Sequence, residues 1–244
     1  MRFYTLPPIS VCWNFILVNA NKPSFSYLKR WGKVKSIILD CGVEVFRDPS
    51  VKDYPKYHLN RLVSLYRKLT KYAEEVYAVA PDYPDDYHPK NLWVDGKTNI
   101  ERTVESVAEA VDRFSEVNWL IPIQGHNEDP LSVAKCIEMY EDLGLTKRFN
   151  YFAVANLCVS KKVDTIVKTV NVARFYLPNK RLHAFGISLS AAKKLRNILF
   201  SFDSLAYTFP RERGLWSCKN REERERYFKQ YVERLIEGDA VKCG

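Results

Sequence analysis

The chain has 244 residues, 46% of them hydrophobic and 14% aromatic, which is enough apolar surface for a full core and too much for a disordered chain. Its 38 Lys and Arg against 29 Asp and Glu leave a formal charge of +9, a balance that favours a polyanionic partner, nucleic acid being the commonest. No apolar run reaches the ~20 residues that a membrane-spanning helix needs, and glycine-rich or serine-rich linkers that would mark a domain boundary are absent.

Residues 1–10 read as a mixed lead-in with Pro7-Pro8, and 11–20 as the first inner strand, apolar and β-branched. A short helix over 24–31 stops at Gly32. The continuous apolar run Ile37-Ile38-Leu39 marks a second strand over 36–43, buried on both faces. Polar residues with Pro49 and Pro55 make 47–57 a loop, and helical spacing of Leu59, Leu62, Val63, Tyr66 and Leu69 predicts a helix over 58–73. A third strand over 76–80 runs into a loop crowded with Asp82, Asp85, Asp86 and His88, read as solvated and without the spacing of a metal site. A strongly amphipathic helix over 98–114 is capped by Thr98 or Asn99.

A fourth strand over 118–123 ends at Gln124-Gly125-His126. Asp129-Pro130 then opens a helix to residue 143, with Pro at its first position. A fifth strand is predicted over 151–159, a helix over 164–176, a sixth strand over 182–187, a helix over 190–199 and a seventh strand at Phe200 to Asp203. A charged helix over 221–238 covers the end. Strand and helix alternate, so the expected fold is α/β: a single-domain (β/α)8 TIM-type barrel of seven clear strands and an eighth unplaced, with a doubly wound sheet as runner-up.

Six cysteines, Cys12, Cys41, Cys136, Cys158, Cys218 and Cys243, form no C-x-x-C pair and look like reduced, intracellular usage. With no apolar leader at the N-terminus, the expected location is the cytoplasm, or a host cytoplasm for a virus-encoded protein. Basic groups cluster at Lys29, Arg30, Lys33 and Lys35, at Lys147 and Arg148, at Lys161 and Lys162, and at Lys180 and Arg181. Several fall in predicted loops, which suits phosphate contacts.

Polar residues recur where strands end: Asp40, Asp82, Gln124, Asn156 and Asp203. In a parallel barrel these positions converge on one mouth, where reactive groups sit. Two carboxylates there suit nucleophilic and acid–base work, and Asp82 with Gln124 suits hydrogen bonding to a planar heterocycle. His58 and His183 read as structural, and Cys41 as a small buried hydrophobe.

Six segments in order resemble the tRNA-guanine transglycosylase superfamily: Leu39-Asp40-Cys41-Gly42-Val43-Glu44-Val45-Phe46, Asp82-Tyr83-Pro84, Asn99-Ile100-Glu101-Arg102-Thr103, Gln124-Gly125, Leu182-His183-Ala184-Phe185-Gly186-Ile187, and Phe202-Asp203-Ser204-Leu205-Ala206-Tyr207. The resemblance implies exchange of guanine in nucleic acid for a 7-deazaguanine such as 7-cyano-7-deazaguanine. Asp203 would be the nucleophile at C1′ and Asp40 the general acid/base. Asp82, Gln124, Gly125, Asn156 and Gly186 would hold the base, and the target nucleotide would leave its stack. Departures are Ala155-Asn156-Leu157 for the family's Gly-Gly-Leu turn and His126 where a small residue is usual. With only Cys218 and Cys243 near the C-terminus and no His after His183, no zinc site is expected and no cofactor is implied. The short chain leans toward the DNA-acting branch, with tRNA as the alternative polymer. A catalytically silent nucleic-acid-binding barrel is a further alternative, and a protein partner or a homodimer stays open.

Overall fold

The computed structural model describes residues 1–8, 10–158, 160, 162–208 and 220–236. Eight parallel strands, β1 (Arg2–Tyr4), β2 (Phe15–Asn19), β3 (Val34–Asp40), β4 (Ala73–Val79), β5 (Trp119–Ile123), β6 (Tyr151–Val154), β7 (Arg181–Ala184) and β8 (Ser201–Asp203), form one sheet. Each pairs with its sequence neighbour from β2 to β8, and β1 lies beside β8 with Tyr4 opposite Asp203. The sheet nearly closes where Thr5 bridges Ile16 and the Leu17 amide donates to the Thr5 carbonyl at 2.9 Å. The result is an α/β barrel, as the alternation of strand and helix predicted. The eighth strand is the segment Arg2–Tyr4, which sequence reading took for lead-in; three residues are too few to show a period.

Helices α1 (Ser26–Trp31), α2 (His58–Leu69), α3 (Asn99–Arg113), α4 (Val133–Asp142), α5 (Leu145–Arg148), α6 (Val163–Tyr176) and α7 (Leu189–Lys194) lie in the connections, and α8 (Arg221–Ile236) follows β8. Their apolar stripes bury against strands such as β3, where Ile37, Ile38 and Leu39 are wholly buried; each such side chain contributes about 1.5–3 kcal/mol. Among the described residues no helix lies between β1 and β2. The face of β1 is covered by α8, whose Phe228 and Tyr231 rings pack on Phe3 at 6.4 and 5.1 Å.

Several elements depart from expectation, among them the following. Asp129-Pro130 does not open α4: Asp129 bridges His126 in a tight turn, and the helix begins at Val133. The fifth strand ends at Val154, so Cys158 lies in the loop beyond it. Residues 70–72 are not helical, and β4 begins at Ala73.

Inside the barrel, alternate residues face inward. The floor is polar. Arg2 on β1 pairs with Glu75 on β4 at 2.5 Å across the barrel. Above them the Tyr4 hydroxyl donates to Ser36 Oγ at 2.8 Å, and Tyr151 and Ser201 share a hydrogen bond at 2.5 Å. Further along the same inward faces, Ser36 leads to Asp40 four residues on and Ser201 to Asp203 two residues on.

Candidate functional site at the strand ends

The C-terminal ends of the strands open on a cavity of about 580 Å³. Asp40, Asp82, Gln124, Asn156, Gly186 and Asp203 all line it. Gly125 does not: a side chain there would meet Ser132 Oγ at 2.7 Å and Val133 at 2.9 Å, so close packing against the start of α4 accounts for the glycine.

Asp203 is the last residue of β8 and is buried. Its Oδ1 accepts from the Gly186 amide at 3.1 Å and lies 3.2 Å from His183 Nε2. The other ring nitrogen, Nδ1, is 2.7 Å from Ser201 Oγ, so the histidine ties Asp203 to the polar floor. Gly186 has φ 63°, and a Cβ there would stand 2.4 Å from Cys158 Sγ. Only glycine fits both the left-handed backbone and the contact.

Asp40 ends β3, and the Gly42 amide donates to its Oδ1 at 3.1 Å. Burial, and next the neighbouring charge of Glu44, push its carboxyl up to about 8. Asp82 is buried, and desolvation raises its carboxyl to about 6. Both of its oxygens are engaged: Cys41 Sγ donates to Oδ1 at 3.1 Å, and Gln124 Nε2 donates to Oδ2. Cys41 is therefore a hydrogen-bond donor to the site as well as a buried small group, and burial pushes its thiol well up.

The loop after β4 is not the solvated segment that its charge suggests. Asp85 is buried, receiving the Lys90 amide at 2.7 Å and the Asn127 amide at 2.9 Å. Asp86 lines the cavity, and burial followed by the charges of Asp82 and Asp85 raises its carboxyl to about 7. The N-terminus of α3 braces this loop. Thr98 and Glu101 form a capping box. Thr103 Oγ1 accepts from the Tyr83 amide at 3.0 Å, Asn99 Nδ2 donates to the Gly125 carbonyl at 2.9 Å, and the Arg102 guanidinium lies 3.9 Å over the Tyr83 ring.

Among the described residues, three buried oxygens in the cavity wall have no hydrogen-bond partner: Gln124 Oε1, Asn156 Oδ1 and Asp86 Oδ1. The amide nitrogens of Gln124 and Asn156 are committed, to Asp82 and to the His126 carbonyl at 2.7 Å. Buried acceptors without donors are costly, so the wall is set for a planar group that offers N–H.

Most of the basic clusters sit at the other end of the barrel. Lys29 and Arg30 lie in the last turn of α1, Lys33 and Lys35 at the start of β3, Lys147 and Arg148 in α5 just before β6, and Lys180 and Arg181 at the start of β7. At the cavity end, Lys22 and Arg47 line the opening, and Lys162 precedes α6 with its ammonium 3.8 Å from Glu128. Lys161, Pro210, Arg211, Arg213, Cys218 and Cys243 lie outside the described residues.

Sequence reading missed Asn19, Glu44 and Asp86 as members of this wall, and His183, read as structural, is wholly buried behind Asp203. Asn19 and His183 were signalled by position, since each falls on the inward side of a strand near its end. No helix among the described residues is long and apolar enough to cross a membrane. A scan against models of known protein families finds no match to this chain, and a search of curated proteins finds none either.

Proposed function

We propose that this barrel exchanges a guanine-type base in nucleic acid through a covalent glycosyl–aspartate intermediate. The observation that carries the reading is the pairing, in one cavity, of two inward carboxyl groups with unpartnered acceptors. Asp40 and Asp203 line the same wall as the bare oxygens of Gln124, Asn156 and Asp86. A 2-amino-6-oxopurine presents N1–H and N2–H donors along one edge, which suits such a set.

Asp203 attacks C1′ of an extruded nucleotide. The C1′–O bond forms, the C1′–N bond to the base breaks, and the electron pair leaves on the purine. Asp40, held largely protonated near neutral pH, gives its proton to a ring nitrogen of the departing base. In the second half, Asp40 takes a proton from an incoming base whose nitrogen displaces Asp203 from C1′. Lys22, Arg47 and Lys162 stand where flanking phosphates would pass. The six motif segments that resemble the guanine transglycosylases favour a 7-deazaguanine, such as 7-cyano-7-deazaguanine, as the incoming base.

The test is incorporation of labelled guanine or 7-cyano-7-deazaguanine into duplex DNA and, in parallel, into bulk tRNA, with Asp203→Ala as control. Label in either polymer, lost in the variant, supports the exchange and names the polymer. No label in either, from protein that binds the polymer, overturns it in favour of a barrel that binds without chemistry.

A further inference from the structure

Glu44 lines the cavity beside Asp40, although it lies on a short 3₁₀ turn, Val43–Arg47, and not on a strand. Asn19, at the end of β2, joins the two. Its Nδ2 donates to Glu44 Oε1 and lies 3.5 Å from Asp40 Oδ2. The orientation of this amide is fixed by its other end, where Oδ1 accepts from the Asn21 amide at 2.8 Å and the Lys22 amide at 3.3 Å. A flipped amide would set its nitrogen against those two N–H groups, so the nitrogen must face the carboxyl groups.

A second asparagine tightens the same contact. Asn21 Nδ2 donates to the Gly42 carbonyl at 2.8 Å and lies 3.5 Å from Glu44 Oε2. The approach is close enough that a side chain at Gly42 would stand 2.6 Å from that nitrogen. The loop after β2 is thus clamped onto the turn after β3, and the clamp brings two carboxyl groups to one N–H₂.

We propose that Glu44 is a positioning residue for Asp40: held with it on the Asn19 amide, it forms a carboxyl pair that keeps one proton between its members, so that Asp40 meets the nucleotide as an acid. This rests on the reading of Asp40 as the acid/base of the exchange. Two carboxylates on one donor cannot both ionise cheaply. The charge of Glu44 is the largest charge effect on Asp40, ahead of Asp203 and Asp82, with the Gly42 amide opposing. The other charged groups of the wall are Asp86, Lys22 and Arg47. Among the described residues no other carboxyl shares the Asn19 amide.

The experiment is a ¹³C carboxyl NMR titration of the whole chain, with Asp40 assigned through Asp40→Asn. In the wild type, the Asp40 carboxyl should titrate well above the usual carboxylate range. Glu44→Gln should lower the Asp40 step by about one pH unit or more, with Glu44→Met as a second variant should the first fold poorly. An Asp40 midpoint unchanged in either folded variant overturns the proposal. The alkaline limb of the exchange rate should move down with the midpoint. Absence of exchange in the wild type would sink the functional reading, while the titration would still decide the carboxyl pair.

Discussion

His183 Nε2 lies 3.2 Å from Asp203 Oδ1, the same oxygen that accepts from the Gly186 amide at 3.1 Å. Two elements, the strand β7 and the turn after it, therefore orient one carboxyl group. Ser201, one pleat below Asp203 on β8, fixes the far side of the imidazole. Small errors in the aim of a nucleophile are expensive, about 100-fold for displacements near 1 Å. His183→Phe should lower kcat for the proposed base exchange by roughly 10- to 100-fold with little change in KM. His183→Gln, which keeps a donor, should recover part of the loss. Equal kcat in the Phe variant and the wild type would remove the histidine from any role in catalysis.

The cavity carboxyl groups make stability depend on pH in an unusual direction. Asp40, Asp82 and Asp86 are raised to about 8, 6 and 7 from 3.8. A carboxyl raised on folding binds its proton more tightly in the native state, so its contribution is full below pH ~4 and is lost as pH climbs through the folded value. Stability should therefore fall between pH 4 and 8. Asp86→Asn, which removes one such charge, should raise the melting temperature at pH 8 by a few degrees, since about 1 kcal/mol moves it by about 2–4 °C at this size. The gain should vanish near pH 4. A melting temperature that rises equally at both values would mean that the charge of Asp86 is not what costs stability.

Gly42 has φ 92° and a neighbour, Asn21 Nδ2, at 2.6 Å from where a Cβ would lie. Gly42→Ala should cost about 1–3 kcal/mol from backbone strain and should also spread the loop after β2 from the turn after β3. Thermal melts would measure the first effect. The second should show as a slower exchange rate at a pH where the variant is fully folded.

Thr98→Ala removes the capping box of α3, a loss of about 1 kcal/mol. The variant matters because Asn99 and Thr103, on the first two turns of that helix, hold the Gly125 carbonyl and the Tyr83 amide. A loosened first turn should weaken base binding, read as a higher KM for the incoming base, with kcat nearly kept. Urea melts and KM measured together separate the two effects.

The barrel was legible in the sequence because its strands are buried on both faces and read as short apolar runs, Ile37-Ile38-Leu39 above all. Asp40, Gln124 and Asp203 were legible for the complementary reason: a polar group at the end of such a run stands out. Arg2–Tyr4 was missed because its partner β8 is some 200 positions away, and nothing local marks so short a strand. Asp85 and Asp86 misled because charge in a proline-rich loop usually means solvent, whereas here backbone amides five and more than forty residues away take up Asp85. Glu44 was hidden by its turn, and its place beside Asp40 depends on two asparagines from the preceding strand end. The basic clusters could not be placed from sequence, which gives a lysine no end of the barrel.

The closure of the barrel by Arg2–Tyr4 has a temporal consequence. Tyr4 lies opposite Asp203, and Thr5 bonds both to the Ser204 carbonyl and across to β2. The strand that bears Asp203 is thus seated against the first strand of the chain, about 200 residues earlier. Contacts of such separation form late, after the loop between them has been ordered. A ribosome-bound chain that has emerged only as far as β7 can hold Asp40, Asp82 and Gln124, yet it has no Asp203 to join them. Whatever this cavity does, it begins only when the two ends of the sheet meet.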